Sequence, residues 1–211
     1  MMKMKNISLK VLVIALLFVF IGSEAKAQQW YGAFSYQVSF PTGDTKEFAD
    51  DISFIGFALD FRNVVARNTT VGVLLGWNVF HERTDETIQL MRNGNPGAVT
   101  GLQDRTINSF PIMANFHRYF GEPSGKKFFV GLNAGGYYMV QRFDIGIYTF
   151  QEDEWQWGII PEIGMTIPLQ RTTSLIISGK YHFAFTGDSP VGGDIKHQYI
   201  SIGVGIAWTE Y

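Results

Sequence analysis

The sequence predicts an all-β fold: an eight-stranded antiparallel up-and-down transmembrane β-barrel. Three observations predict it. Bulky apolar residues recur at every second position in eight separate segments, the positions between them are small or uncharged, and the connections alternate short and long. The final segment, "ISIGVGIAWTEY", places Ile200, Ile202, Val204, Ile206 and Trp208 on one face and Ser201, Gly203, Gly205 and Ala207 on the other. A helix would scatter those five large residues, whereas a strand gathers them.

The chain has 211 residues, of which 46% are apolar and 17% charged. The charged share lies below the roughly one quarter of an ordinary soluble protein. With no cysteine, disulfides and thiolate metal sites are excluded. The beginning is read apart from the fold. Lys3, Lys5 and Lys10 precede an apolar run over 11–22, and Ala25-Lys26-Ala27 follows as a small-x-small cleavage pattern. This is the pattern of a secretory signal peptide. The expected division is a signal peptide over 1–27 and one barrel domain over 28–211. The leader holds four of the 17 Lys and Arg and one of the 19 Asp and Glu, which leaves 13 positive and 18 negative groups, a formal charge of −5. That balance argues against nucleic acid as a partner.

The strands follow in order. The first sets Trp30, Phe34, Tyr36, Val38 and Phe40 against Ala33, Ser35, Gln37 and Ser39. The second sets Ile55, Phe57, Leu59 and Phe61 against Gly56, Ala58, Asp60 and Arg62. In the third, Val71, Val73, Leu75, Trp77 and Val79 oppose Gly72, Leu74, Gly76 and Asn78. In the fourth, Phe110, Ile112, Ala114 and Phe116 oppose Met113, Asn115 and His117. The fifth sets Phe128, Val130, Leu132, Ala134, Tyr138 and Val140 against Gly131, Asn133, Gly135 and Gln141. The sixth has Trp157, Ile159, Ile163, Met165 and Ile167 against Gly158, Glu162, Gly164 and Thr166. The seventh has Leu175, Ile177, Tyr181, Phe183 and Phe185 against Ser178, Lys180, His182 and Ala184. The ending is the eighth.

"NVVARN", "GEPSGK" and "QRT" are short connections. "PTGDTKEFADD", the stretch from about Arg83 to Asn108, "IYTFQEDE" and "TGDSPVGGDIK" are longer. Alternation of this kind places both chain ends on the short-turn side. Within the longest link, "RNGNPG" is a turn signal, so strands three and four are expected to extend as a ribbon. "FDIGIYTF" is expected to do the same after strand five.

A soluble barrel with apolar residues inward would carry Lys and Glu on its second face. Here that face is Gly, Ala, Ser and Asn. Small and polar groups suit the narrow interior of an eight-stranded barrel, and large aliphatics suit hydrocarbon. Closure is required too, since an open edge in lipid leaves backbone groups unpaired at several kcal/mol each. Aromatic girdles are expected from Trp30, Tyr31, Tyr119, Phe120 and Trp208 at the short-turn side, and from Phe40, Phe80, Trp155, Trp157 and Phe185 at the other.

Signal peptide, eight alternating strands, long outer loops and a final amphipathic strand resemble the small outer-membrane β-barrels of OmpA and OmpX type. "SFPIMANFHRYFGE" followed by "KKFFVGLNAGGYYMV" resembles the β-barrel domain common among porin-like proteins of Gram-negative bacteria. The resemblance covers the whole mature chain. It implies location in the cell outer membrane, contact with its lipids and lipopolysaccharide, and recognition of the last strand by the barrel-assembly machinery. Family members often end on an aromatic residue in phase with the lipid face. Here that residue is Trp208, and Tyr211 falls out of phase. No domain follows the barrel, so peptidoglycan binding of the OmpA kind is not implied.

The expected lumen polar network comprises Asp60, Arg62, Asn115, His117, Glu162, Lys180 and His182. Pairing Leu169 with Thr173 across "QRT" sets Glu162 opposite Lys180, where opposite charges attract. The pair reads either as a gate or as a polar plug, and the narrow lumen favours the plug. His117 and His182 lie on strands that are not neighbours and have no third ligand, so no metal site is assigned. His81 and His197 are expected to be solvated near the loops. No cofactor or catalytic group is assigned, because no Ser–His–acid set falls on the lipid face. The acidic clusters "GDTKEFADD", "RTDE" and "QEDE" read as solvated loop tips. The expected function is a monomeric outer-membrane barrel with a structural or surface-interaction role and an extracellular ligand at its long loops. The alternatives are a narrow porin for small solutes or ions and, behind it, a lipid-modifying enzyme.

Overall fold

The computed structural model describes residues 30–92, 95–121, 125–145, 148–185, 187–188 and 194–210. The expected signal peptide lies outside the described residues. The elements are β1 (Trp30–Thr42), a short helix α1 (Gly43–Phe48), β2 (Ile55–Ala66), β3 (Thr69–Arg92), β4 (Asn95–Gly121), β5 (Lys127–Ile145), β6 (Tyr148–Pro168) and β7 (Thr173–Ala184). A small hairpin of β8 (Gly187–Asp188) and β9 (Asp194–Ile195) then precedes β10 (Gln198–Glu210). Eight strands close into a ring in the order β1-β10-β7-β6-β5-β4-β3-β2, every neighbouring pair antiparallel. The seam between first and last strands runs from Trp30 opposite Glu210 to Thr42 opposite Gln198.

The ribbons expected from sequence are present. β3 has 24 residues and β4 has 27, against 13 in β1, and their pairing continues to Arg92 opposite Asn95. A transmembrane strand needs about 9–11 residues, so this ribbon extends well beyond the ring. β5 and β6 stay paired to Ile145 opposite Tyr148.

The two faces alternate as their chemistry requires. Val204, Ile163 and Trp157 are 48%, 66% and 73% exposed, while Ser201, Gln37 and Asn133 are fully covered inside the ring. Three aromatics depart from the girdle expectation. Tyr31, Tyr119 and Phe80 are buried in the lumen, because each has the parity of the inward residues on its strand. His197 also departs from expectation. It is buried just outside β10, with its Nε2 3.0 Å from Gln141 Nε2. Burial lowers its pKa to about 4, so the ring is neutral at physiological pH.

The first long link is not a free loop tip. After α1 the chain folds into the outer mouth and places Phe48 and Ala49 against Phe80, Ile107, Phe143, Ile145 and Tyr199. The Arg105 guanidinium covers the Phe48 ring at 5.8 Å and donates to the Phe48 carbonyl at 3.3 Å. This segment also completes the wall. β1 pairs with β2 only as far as Tyr36 opposite Phe57. Beyond that, Ser39 and Ser53 exchange two backbone hydrogen bonds of 2.8 Å.

The lumen is therefore layered. Beneath the outer cap lies a polar set in which Tyr199 Oη accepts from Asn78 Nδ2 at 3.3 Å. Next come Leu74, Met113, Tyr137, Met139, Ile160 and Ala184, then a cluster of charges. Toward the short turns follow Tyr31, Ala33, Tyr119, Phe129, Ile176 and Ala207. The interior thus holds more bulk than the Gly, Ala and Ser pattern implies, and glycines make room for it. At Gly164, a Cβ would overlap the Phe129 ring.

Orientation of the two faces is testable on β10. Val204→Arg is expected to lower stability by about 2–4 kcal/mol in lipid vesicles, and Val204→Leu by less than about 1 kcal/mol. Denaturant titration of folding into vesicles measures both. Equal tolerance of Arg and Leu would place this face in water.

The buried charge cluster of the lumen

Four strands bring two carboxylates and two cations into the middle of the ring. Asp60 and Arg62 share the inward face of β2, with Asp60 Oδ1 2.9 Å from Arg62 Nη2. β6 supplies Glu162 and β7 supplies Lys180, paired in register as the short turn dictates. That turn begins with Leu169 N–H donating to the Thr173 carbonyl at 3.0 Å. Lys180 Nζ lies 3.3 Å from Glu162 Oε1, and Arg62 Nη2 lies 4.0 Å from the same oxygen. All four side chains are buried. The charges balance, as a site this far from water demands.

Neutral groups complete the set. Asn115 Nδ2 donates to Asp60 Oδ1 at 3.0 Å, and Asn133 Nδ2 donates to Glu162 Oε2 at 3.3 Å. His117 Nε2 is 2.9 Å from Glu162 Oε2. Lys180 Nζ donates to Ser178 Oγ at 3.1 Å, and Arg62 Nη1 donates to Tyr119 Oη at 2.9 Å. His117 keeps its place because Gly131 faces it across the sheet, where a Cβ would overlap the imidazole.

Six of the seven residues expected from sequence meet here. His182 does not. It lies two residues beyond Lys180, one pleat nearer the outer mouth, where its nitrogens reach Ser201 Oγ at 3.1 Å and Tyr137 Oη at 3.3 Å. Its ring stacks on Tyr199 at 4.0 Å. Sequence reasoning left out Tyr119, Asn133 and Ser178 as partners. All three carry inward parity, so the signal was available. Among the described residues no group of three or more His, Asp or Glu side chains is arranged to hold a metal ion.

Fold and lumen together define a small, closed, eight-stranded barrel with its apolar face outward. No protein-family model matches the sequence, and no curated protein matches it. Solved structures do. The outer membrane protein OprG from Pseudomonas aeruginosa aligns over 88% of this chain and 97% of its own, with 14% identity and a TM-score of 0.54. A major outer membrane protein from Thermus thermophilus aligns over 86% of this chain and 99% of its own, with 9% identity and a TM-score of 0.54. Neisserial surface protein A aligns over 88% and 99%, with 10% identity and a TM-score of 0.51. The chain has the fold of small outer-membrane β-barrels.

Removing one member of the cluster should cost more than removing a pair. Lys180→Met is expected to destabilise the folded barrel by about 3 kcal/mol, because Glu162 loses its nearest cation. Lys180→Met combined with Glu162→Gln should recover at least half of that loss. Denaturant midpoints in one detergent give both values, and a double variant no better than the single one would refute the coupling.

Proposed function

We propose that this chain is an integral outer-membrane β-barrel protein with a structural or surface-interaction role, exported by a cleaved leader over 1–27. The single observation that carries the reading is the blocked lumen. The outer mouth is capped by Phe48 and Ala49, and the charge cluster fills the middle. A solute path would need both to part.

The exposed apolar belt supports a place in lipid. Trp155, Trp157 and Phe54 mark one end of the belt, and Phe120 and Phe128 mark the other. In this reading the short turns and both ends of the barrel domain face the periplasm, and the β3–β4 and β5–β6 ribbons stand outside the cell. Outer-membrane lipid and lipopolysaccharide surround the wall, the assembly machinery takes the last strand, and an extracellular ligand meets the ribbons. The barrel acts as a monomer. A catalytic role is not part of the proposal, since His117 and His182 both direct their nitrogens to lumen partners.

Purified protein inserted into planar bilayers is expected to give no stepwise current. Regular conductance steps from the folded barrel would replace this reading with the narrow porin. Cell fractionation provides the location, with the barrel expected in the outer-membrane fraction and its amino terminus at Gln28.

A further inference from the structure

The lumen is filled at its centre and outer mouth, but not at the short-turn end. A cavity of about 540 Å³ lies there, roofed by Tyr31 and Tyr119 and walled by strand ends of the ring. That volume falls in the range of small-molecule sites, about 300–1,000 Å³.

Its chemistry is one-sided. Lys127 and Arg171 stand among its lining residues, and no described lining residue is acidic. Lys127 has the inward parity of Phe129 on β5 and is paired with inward Thr166. The walls are rich in hydroxyls, which include Thr70 and Thr166. Two of the hydroxyls have no hydrogen-bond partner although they are buried: Tyr31 Oη and Thr70 Oγ1. Both residues are more than nine-tenths covered. A buried hydroxyl without a partner costs free energy, so such a group calls for a ligand or water. Tyr119 adds a third donor. Its Oη accepts from Arg62 Nη1 at 2.9 Å, which leaves its own proton to donate, polarised by the guanidinium behind it.

We propose that this vestibule binds a small hydroxylated organic oxyanion, a sugar phosphate or a sugar acid. The oxyanion would sit between Lys127, Arg171 and the tyrosine hydroxyls, since charge-assisted hydrogen bonds are the strong ones. The hydroxylated body would meet the threonines. The vestibule is blind, because the ring of Tyr31, Tyr119 and Phe129 and the charge cluster close it above. It therefore captures a ligand instead of passing it. That the ligand comes from the periplasm rests on the orientation proposed above, whereas binding itself does not.

The test uses the barrel folded in detergent micelles, with gel mobility before and after boiling as the check of fold. Isothermal titration with glucose 6-phosphate and with gluconate is expected to give saturable binding by at least one of them, and glucose is expected to give none. Which of the two binds identifies phosphate or carboxylate as the anion. Lys127→Gln with Arg171→Gln should weaken binding by about tenfold or more. Lys46→Gln at the opposite mouth should leave it unchanged. Thr70→Val, read by chemical shifts of the rim amides, should weaken binding without altering the fold. The proposal is overturned by absence of saturable binding to both anions, by equal binding of glucose, by inorganic phosphate binding as tightly as glucose 6-phosphate, or by indifference to the Lys127 and Arg171 changes. Conductance or fractionation results bear on the membrane reading alone and leave these outcomes distinguishable.

Discussion

Closure of eight strands into a ring is the constraint on which the rest depends. Once β10 pairs with β1 along its whole length, every second side chain must enter an interior too narrow for bulk water. Each inward residue must then be packed, hydrogen-bonded or balanced in charge. The outward residues face the opposite demand, because an apolar belt around the ring needs hydrocarbon next to it. Period two thus decides environment for nearly every residue, and a slip of one would exchange the two sets.

The charge cluster follows from that constraint. Four charges lie within a ring that offers them no water, so their stability depends on each other and on Asn115, Asn133, Ser178 and Tyr119. Hydrophobic replacements of similar volume can be as stable as buried ion pairs. What the cluster adds is position. Glu162 reaches Lys180 across one strand pair and approaches Arg62 across the lumen, so a sheet closed in another register would strand a charge. The barrel's register and its polar contacts therefore select one another.

Most of this was legible in the sequence because it follows parity. The strand faces, the Glu162–Lys180 opposition and the β3–β4 ribbon all come from counting residues along a strand or across a short turn. Parity also marks Tyr31, Tyr119 and Phe80 as inward, but the expectation of aromatic girdles pulled them outward. What parity does not carry is any contact made by the links. Nothing in "PTGDTKEFADD" signals that Phe48 turns back into the mouth, because the pocket that receives it is built from β3, β4, β5 and β10. The burial of His197 was illegible for the same reason: its Gln141 partner lies 56 residues away. Sequence distance also explains why the layers of bulk were missed. Single inward residues such as Leu74 and Ile160 look like exceptions on their own strands, and become a layer only when the ring is closed.

The two mouths of the ring are finished differently, and the loops account for it. On the outer side the link after β1 is long enough to fold back, bring an aromatic residue with it and complete the wall where β2 falls short. On the other side the turns are tight. The β6–β7 connection spans only Leu169 to Thr172 between strands and has no length to reach the axis. The short-turn mouth therefore stays lined by strand ends, whose inward positions remain Thr, Ser and Tyr. Hydroxyls without partners are expected where a narrow polar tube ends and no chain is left to cover it. The unequal connections of an up-and-down barrel thus make one end a seal and leave the other a cup.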